Sequence, residues 1–236
     1  MLKEIIDKFY LDNQKNKSKD RVQTHFYISQ AGKCPRQIFF KFKNVPEKEL
    51  EANILRLFDH GDHMHQLIMG SLIGTREINV VTSEVNIDSQ ELISGRADAI
   101  ISDGKKLYVL DIKSMNSMIF RTLTEPKEEN VKQIQLYLYY FKISKGILLY
   151  VNKDNLELKE FIIDYNPIEA EELVENLNFL RKQIDSNIIP ARISDYPDDW
   201  QCRYCQFKEI CNLGAPDQMS WEDFKTKIQG VRDSEA

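Results

Sequence analysis

Two segments with the composition of β-strands, residues 92–102 and 106–113, carry charged side chains where a buried strand is normally apolar. The first contains Gly95-Arg96-Ala97-Asp98, and the second contains Leu110-Asp111-Ile112-Lys113. Side chains alternate along a strand, so Asp111 and Lys113 point to the same face. Because unpaired charges are expensive to bury, this pair indicates either a functional site or a solvated surface.

The spacing between the two segments predicts a hairpin that brings two carboxylates together. Asp103-Gly104 is typical of a two-residue type I′ turn. Such a turn pairs Ser102 with Lys105. It puts Asp98 and Asp111 on the same face as diagonal neighbours, about 7–8 Å apart. A three-residue loop would reverse this parity and separate the two acids.

Two carboxylates on one face form the hard oxygen site that Mg²⁺ or Mn²⁺ prefers. A divalent ion there can polarise a phosphodiester and lower the pKa of a water molecule. Lys113 can orient that water or offset charge that builds on the phosphate. The alternative is a solvated hairpin with ordinary surface ion pairs, and a D-x-K tripeptide alone is too short to decide between the two.

A third motif lies on a helix predicted at about 131–143, where two Q-x-x-x-Y registers fit. They are Gln135 with Tyr139 and Gln133 with Tyr137, and either pair lies on one helix face. The order G-x-x-D, D-x-K and Q-x-x-x-Y resembles the RecB-like branch of the PD-(D/E)xK nuclease superfamily. The register of Gln135 is preferred because the apolar residues around it match the family's Q-L-x-x-Y better.

The resemblance spans about Cys34 to Cys211 and implies a restriction-endonuclease-like α/β (α+β) core, with a central mixed β-sheet flanked by helices. The predicted order of helices, three strands, a helix, two strands and a helix agrees with this class. Gly61-Asp62-His63-Met64-His65 resembles the family's G-x-x-x-H motif, although Ala97 replaces the family's proline before Asp98. The implied catalytic residues are Asp98, Asp111, Lys113, Gln135 and Tyr139. The implied ligands of Mg²⁺ or Mn²⁺ are His65, Asp98, Asp111 and the backbone carbonyl of Ile112.

The four cysteines are Cys34, Cys202, Cys205 and Cys211. One far upstream and three close together suggest metal binding rather than disulfides in a reducing compartment. One cysteine before the nuclease motifs and three after them resemble the iron–sulfur subset of RecB-like nucleases, which includes the CRISPR-associated exonuclease family and AddB-type subunits. The resemblance implies a structural [4Fe–4S] cluster that joins the two ends of the chain. A zinc site with four thiolates uses the same residues and stays open.

The chain has 236 residues and a formal net charge of -5. We expect three segments: a helical segment at 1–45, a nuclease core at 46–190 and a cysteine segment with a tail at 191–236. An acidic chain can still carry a local basic groove. The weak candidates for DNA contacts are Lys33, Arg36, Lys41 and Arg121.

These features predict a metal-dependent DNA nuclease, specifically an exonuclease on single-stranded ends that hydrolyses phosphodiesters in DNA processing, recombination and repair, or CRISPR spacer acquisition. Protein partners in such a complex are expected. The alternative is a noncatalytic iron–sulfur or zinc module that binds DNA or serves as a scaffold. No apolar run approaches the roughly 20 residues that span a bilayer, so we expect no membrane contact and a cytoplasmic location.

Overall fold

The computed structural model describes residues 1–18, 23–88 and 93–234. The helices are α1 (Leu2–Ser18), α2 (Pro35–Phe42), α3 (Ala52–Gly74), α4 (Ser117–Thr122), α5 (Glu128–Phe141), α6 (Pro167–Asp185), α7 (Trp200–Arg203), α8 (Lys208–Leu213) and α9 (Trp221–Ser234). The strands are β1 (Phe26–Tyr27), β2 (Asn79–Asp88), β3 (Ile93–Ser102), β4 (Leu107–Met115), β5 (Lys145–Asn152), β6 (Leu158–Asp164), β7 (Ile188–Ile189) and β8 (Met219–Ser220). None of the described helices is long and apolar enough to cross a membrane.

The chain divides into two compact units whose segments alternate along the sequence. The three consecutive segments expected from the sequence stay a prediction. The first unit comprises Met1–Tyr10, His25–Gly32 and Glu51–Val174. The second comprises Leu11–Thr24, Lys33–Leu50 and Glu175–Ala236.

A mixed sheet of the first unit confirms the predicted α/β class. Within the described residues, β3 is antiparallel to β2 on one edge and to β4 on the other, and β1 runs parallel to the start of β3. Strand β4 is parallel to β5, and β5 is antiparallel to β6. The crossover between β4 and β5 contains α4 and α5, because parallel neighbours cannot be joined by a tight turn.

The β3–β4 hairpin has a longer loop than the sequence predicts. Ser102 pairs with Leu107 and not with Lys105, so four residues form the loop. The carboxylate of Asp103 accepts the backbone N–H groups of the two lysines in the loop, and Gly104 supplies a φ of 84°. The predicted register is therefore wrong by two residues. An even shift keeps every side chain on its predicted face, since the period of a strand is two.

Helices cover both faces of this sheet. On one face, Leu110 and Ile112 of β4 pack against the apolar residues of α3. On the other face, Ile134 of α5 packs against Leu148 and neighbouring apolar residues of β5 and α4. Helix α5 approaches β5 closely because Gly146 has no side chain, and a Cβ atom there would overlap Ile134. This contact fixes which side of α5 faces the sheet.

The second unit has a separate aromatic core and a two-stranded sheet in which β7 is antiparallel to β8. Phe40 is buried and packs against Phe207 and Phe224. Phe39 is also buried and contacts Trp221 edge to face. Phe39 and Phe40 are therefore core residues of this unit and do not face solvent, where they would have to lie to stack on nucleic-acid bases.

Candidate active site

The site of the first unit is built where β3 and β4 separate. Their pairing ends at Ala99 and Leu110, and continuing this register by one residue puts Asp98 opposite Asp111. Beyond this point the N–H of Ile112 has no backbone partner on β3. The Asp98 side chain replaces that partner, because its Oδ2 accepts the Ile112 N–H at 2.6 Å. The carboxylate of Asp98 consequently lies in the gap between the two strands.

His65 reaches this gap from α3. Its Nδ1 lies 3.0 Å from Oδ1 of Asp98. Because a carboxylate only accepts hydrogen bonds, Nδ1 is the donor and Nε2 is left as the nitrogen that can bind a metal ion. The hydrogen bond to Asp98 raises the pKa of His65, and burial opposes the rise.

Asp111 is the most buried acid of the site, at 3% exposure. Nζ of Lys113 lies 3.0 Å from Oδ1 and 2.8 Å from Oδ2. The contact with Oδ2 is close but lacks hydrogen-bond geometry, so this buried oxygen has no hydrogen-bond donor among the described residues. Burial raises the pKa of Asp111, and the charge of Lys113 opposes the rise.

Two residues of α5 continue this network. The side-chain oxygen of Gln133 accepts from Nζ of Lys113 at 3.1 Å, and its amide nitrogen is 3.5 Å from both Asp111 and the Tyr137 hydroxyl. Tyr137 donates its hydroxyl to the backbone carbonyl of Arg96 at 2.7 Å. Burial raises the pKa of Tyr137, which keeps it a proton donor. Arg96 precedes Asp98 by two residues, so Tyr137 fixes the strand that carries this acid.

The preferred register of the Q-x-x-x-Y motif is corrected by these contacts. Gln135 points elsewhere: its amide donates to the carbonyl of Asp164 at 2.9 Å, and its oxygen accepts the N–H of Asn166 at 2.9 Å. Tyr139 contacts the ring of Tyr140 and the ammonium of Lys142. Gln133 and Tyr137, the other register, are the pair that meets the carboxylates.

Comparison with known proteins agrees with this geometry. The PD-(D/E)XK nuclease superfamily matches residues 46–212, which is most of the chain and contains every residue of the site above. The chain belongs to the PD-(D/E)XK nuclease superfamily. Its enzymatic class is therefore hydrolytic nuclease.

Two relatives support this membership. The chain is 27% identical over 199 residues to the CRISPR-associated exonuclease Cas4 of Saccharolobus solfataricus, covering 81% of this chain and 89% of that protein. It matches the crystal structure of SSO0001 with a TM-score of 0.57 and 26% identity, over 89% of this chain and 96% of that one.

A third comparison concerns the fold alone. The alkaline exonuclease LHK-Exo of Laribacter hongkongensis matches with a TM-score of 0.54 and 14% identity, over 76% of this chain and 93% of that one. This similarity shows that the fold is shared by a chain of very different sequence.

Nucleases of this superfamily use divalent ions such as Mg²⁺ or Mn²⁺, and the residues of the site fit such an ion. Asp98 and Asp111 supply the oxygen donors that these hard ions prefer. Oδ2 of Asp111 is a buried oxygen with spare capacity. Across residues 1–18, 23–88 and 93–234, no three His, Cys, Asp or Glu side chains already stand in the arrangement of a metal site. Here Lys113 contacts Asp111, and His65 contacts Asp98.

The second unit of this nuclease brings its cysteines to one cavity. All four are free thiols, and all four line that cavity. Burial raises the pKa of Cys34 and Cys205, and it raises the pKa of Cys202 to about 11. The lining includes Arg36 and Arg192 and no carboxylate. Cationic neighbours suit a metal centre held by four thiolates, because such a centre carries a net negative charge.

Arg36 was expected to contact DNA, and the structure contradicts that role. Its side chain is 1% exposed. The guanidinium donates to the carbonyls of Pro190 and Ala215 at 2.7 and 2.9 Å, and to those of Pro216 and Asp217 at 3.3 and 2.9 Å. It also lies 3.8 Å from Sγ of Cys211. Arg36 is a structural residue of the second unit.

The other candidates for DNA contacts remain predictions. Lys33 lies over the ring of Trp200 at 4.7 Å, and Lys41 is 3.7 Å from Glu47. Arg121 is exposed in the last turn of α4, which directly follows the strand of Asp111. Sequence reasoning missed Arg96, whose backbone carbonyl accepts a hydrogen bond from Tyr137. The available signal was its position in the G-R-A-D segment, two residues before Asp98 and therefore on the same face of the strand.

Proposed function

We propose that this nuclease is a divalent-metal-dependent exonuclease that hydrolyses phosphodiester bonds at the ends of single-stranded DNA. The observation that carries the proposal is the meeting of Asp98, Asp111 and Lys113 where β3 and β4 separate. His65, the two aspartates and the carbonyl of Ile112 would hold Mg²⁺ or Mn²⁺. When bound, the ion neutralises phosphate charge and acidifies a nearby water molecule.

The chain's own residues prepare the site for a phosphate. Lys113 keeps its ammonium beside Asp111 because Gln133 holds it from the other side. A positive charge fixed there offsets negative charge that develops on the phosphate during hydrolysis. Tyr137 and the Ile112 N–H fix the strand and the carboxylate of Asp98, so little reorganisation is needed when substrate binds.

In the second unit, we propose that the four cysteines hold a [4Fe–4S] cluster with a structural role. Four thiols on one cavity support a thiolate-held metal centre. A zinc ion held by four thiolates would use the same residues. The arrangement of one cysteine before the nuclease motifs and three after them favours the cluster, because it resembles the iron–sulfur subset of RecB-like nucleases.

The biological setting is also part of the proposal. The Saccharolobus relative is named as a CRISPR-associated exonuclease. Trimming of DNA fragments for spacer acquisition is therefore one candidate process, and recombination or repair is another. The nuclease would work with DNA and with partner proteins of a processing complex. The spacing of the cysteines, one far upstream and three close together, favours metal binding in a reducing compartment such as the cytoplasm.

Cleavage of end-labelled DNA tests the proposed activity. Single-stranded oligonucleotides labelled at the 5′ or the 3′ end are incubated with Mn²⁺ and the protein, beside a closed single-stranded circle. We expect stepwise shortening of the linear strands, an intact circle, and no cleavage with EDTA or with Asp111→Asn. Asp164→Asn is the matched control, because the carboxylate of Asp164 is exposed at the end of β6 and pairs with Lys145 of β5.

Three results would contradict the proposal. Cutting of the circle would make the enzyme an endonuclease. Absence of cleavage by the metal-loaded, unmodified protein would favour a noncatalytic DNA-binding module. For the cluster, an anaerobic preparation should be brown and contain iron and acid-labile sulfide, and zinc without iron would overturn that part.

A further inference from the structure

Strand β2 has an unusual backbone conformation beside the site. Glu84 has a φ of 51°, in the left-handed region that residues with a side chain rarely adopt. Its neighbours Ser83 and Val85 pair with Ala99 and Ala97 of β3, which puts Glu84 opposite Asp98. Strained residues of this kind concentrate at functional sites. The position of Glu84 next to a proposed metal ligand therefore invites a functional explanation.

The side chain of Glu84 contacts an arginine on β3. Oε1 of Glu84 lies 3.4 Å from Nη1 of Arg96. Arg96 and Asp98 share a face of β3 and are about 6.6 Å apart along the strand. A guanidinium at that distance lies within one side-chain length of a phosphate bound at Asp98.

The backbone and the side chain of Arg96 are held very differently. The backbone carbonyl is fixed by the hydroxyl of Tyr137 at 2.7 Å. The side chains of Arg96 and Glu84 are 62% and 70% exposed. An ion pair so exposed to water contributes little stability, so another anion can replace the carboxylate. The backbone of Arg96 is thus held in place, while its guanidinium can exchange one anionic partner for another.

Charge and shape favour a phosphate as that anion. Asp98 and Asp111 meet at the site and Glu84 lies opposite Asp98 in the β2–β3 register, so a cation in addition to Lys113 favours the approach of a polyanion. A guanidinium binds a phosphate through two parallel hydrogen bonds, a geometry that carboxylates and phosphates share.

Resting on the proposed function, we propose that Arg96 binds a backbone phosphate of the DNA strand next to the scissile bond. Glu84 holds Arg96 while DNA is absent and releases it when DNA binds. Each state leaves the guanidinium with one anionic partner. Neutralising Glu84 therefore removes a competitor for the phosphate, whereas truncating Arg96 removes the contact itself.

Binding measurements without cleavage test this exchange. Fluorescence anisotropy of a labelled single-stranded oligonucleotide is followed in Ca²⁺ at several salt concentrations, and thermal denaturation checks the folding of each variant. We expect Arg96→Ala to weaken binding about tenfold, as the loss of a charged hydrogen bond does. The slope of log affinity against log salt should fall by about one. Arg96→Lys should recover part of the affinity, and Glu84→Gln should bind more tightly than the unmodified protein.

The matched control is Arg76→Ala. Arg76 is an exposed arginine of the same unit and lies three residues before β2, whose first residue pairs with Ser102 at the hairpin end of β3. It should leave both the affinity and the salt slope unchanged. In Mn²⁺, Arg96→Ala should raise KM and leave kcat within about twofold, because the contact forms in ground state and transition state alike.

The outcomes separate this inference from the proposed function. Cleavage by the unmodified protein, together with unchanged affinity, KM and salt slope in Arg96→Ala, overturns the inference alone. Weaker DNA binding by Glu84→Gln, or a raised Mn²⁺ requirement for cleavage, would make Glu84 a metal ligand and overturn its role as the holder of Arg96. Absence of both binding and cleavage by the unmodified protein overturns both proposals.

Discussion

In each unit of this nuclease a charged side chain is buried beside the candidate site. The two side chains differ in how completely they are hydrogen-bonded. Asp111 in the first unit is 3% exposed, and one of its oxygens lacks a hydrogen-bond donor among the described residues. Arg36 in the second unit is 1% exposed, and its guanidinium donates to four backbone carbonyls.

The difference separates a buried charge with incomplete hydrogen bonding from a buried charge that is paired with backbone carbonyls and supports the fold. Burying a charge without full pairing costs stability, and such a cost persists where function requires it. Asp111 is incompletely paired at the proposed metal site. The buried guanidinium of Arg36 is paired with four backbone carbonyls of its own unit, so its contribution is structural. The same degree of burial thus indicates opposite roles once the hydrogen bonds are counted.

The largest effect is expected at the incompletely paired group. Asp111→Asn should lower kcat/KM for DNA cleavage at least about 10³-fold, because a proposed metal ligand is lost. The free energy of unfolding should change by less than about 1 kcal/mol, since the amide still accepts from Lys113. Cleavage kinetics and urea denaturation followed by circular dichroism measure both. Loss of stability without loss of activity would break the comparison.

Arg36 is expected to behave in the opposite way. Arg36→Leu should lower the free energy of unfolding of the second unit by roughly 3 kcal/mol or more, because the hydrogen bonds of the guanidinium to four backbone carbonyls are lost and the carbonyl of Pro190 among them is buried. Both tryptophans, Trp200 and Trp221, lie in that unit, so their fluorescence during urea denaturation reports its stability.

A matched substitution controls for the loss of an arginine. Arg181→Leu removes an arginine of the same unit that pairs with Asp185 at the surface, and it should cost less than about 1 kcal/mol. If Arg36→Leu instead kept its stability and lost DNA affinity, the residue would be a nucleic-acid contact as the sequence first suggested.

The two glutamines of α5 test the same contrast between a functional and a structural role within one helix. Gln133→Ala should lower kcat about 10-fold or more, in line with the loss of a residue that orients a catalytic group, and change stability little. Gln135→Ala should leave kcat unchanged and lower the free energy of unfolding by about 2 kcal/mol, since it bonds two backbone groups. Equal effects of both variants on kcat would refute the assignment of the register.

The smallest effect is expected from Tyr137→Phe. The variant removes the hydrogen bond from the hydroxyl to the carbonyl of Arg96. Its loss should lower the free energy of unfolding by about 1 kcal/mol, with a fall in kcat smaller than that of Gln133→Ala. Tyr139→Phe is the control, because its described contacts are made by the ring. A Tyr137→Phe variant indistinguishable from this control would remove Tyr137 from the site.

Several expectations could be drawn from spacing because they rest on local geometry. A strand of period two puts Asp111 and Lys113 on one face in any environment. The acids Asp98 and Asp111 still share a face although the loop between their strands is four residues and not two. That agreement depends on parity alone, since a shift by one residue would have reversed it.

Other features depend on contacts between distant segments. The burial of Arg36 is made by carbonyls at Pro190 and beyond, more than 150 positions away, and nothing near Arg36 in the sequence distinguishes it from Lys33 or Lys41. The strained conformation of Glu84 likewise arises opposite Asp98 on another strand, so β2 alone gives no sign of it.

The sequence by itself determined the family, the mixed sheet and the order of acids, lysine and cysteines, because these follow from residue types at fixed spacing. Only the tertiary structure decided which glutamine and tyrosine of α5 join the hydrogen-bond network around Asp111 and Lys113. Gln133 and Gln135 differ by about 200° around a helix, and both satisfy the spacing to a tyrosine four residues later. The choice between them is made by packing, since the contact of Ile134 with Gly146 fixes the rotation of α5 against the sheet.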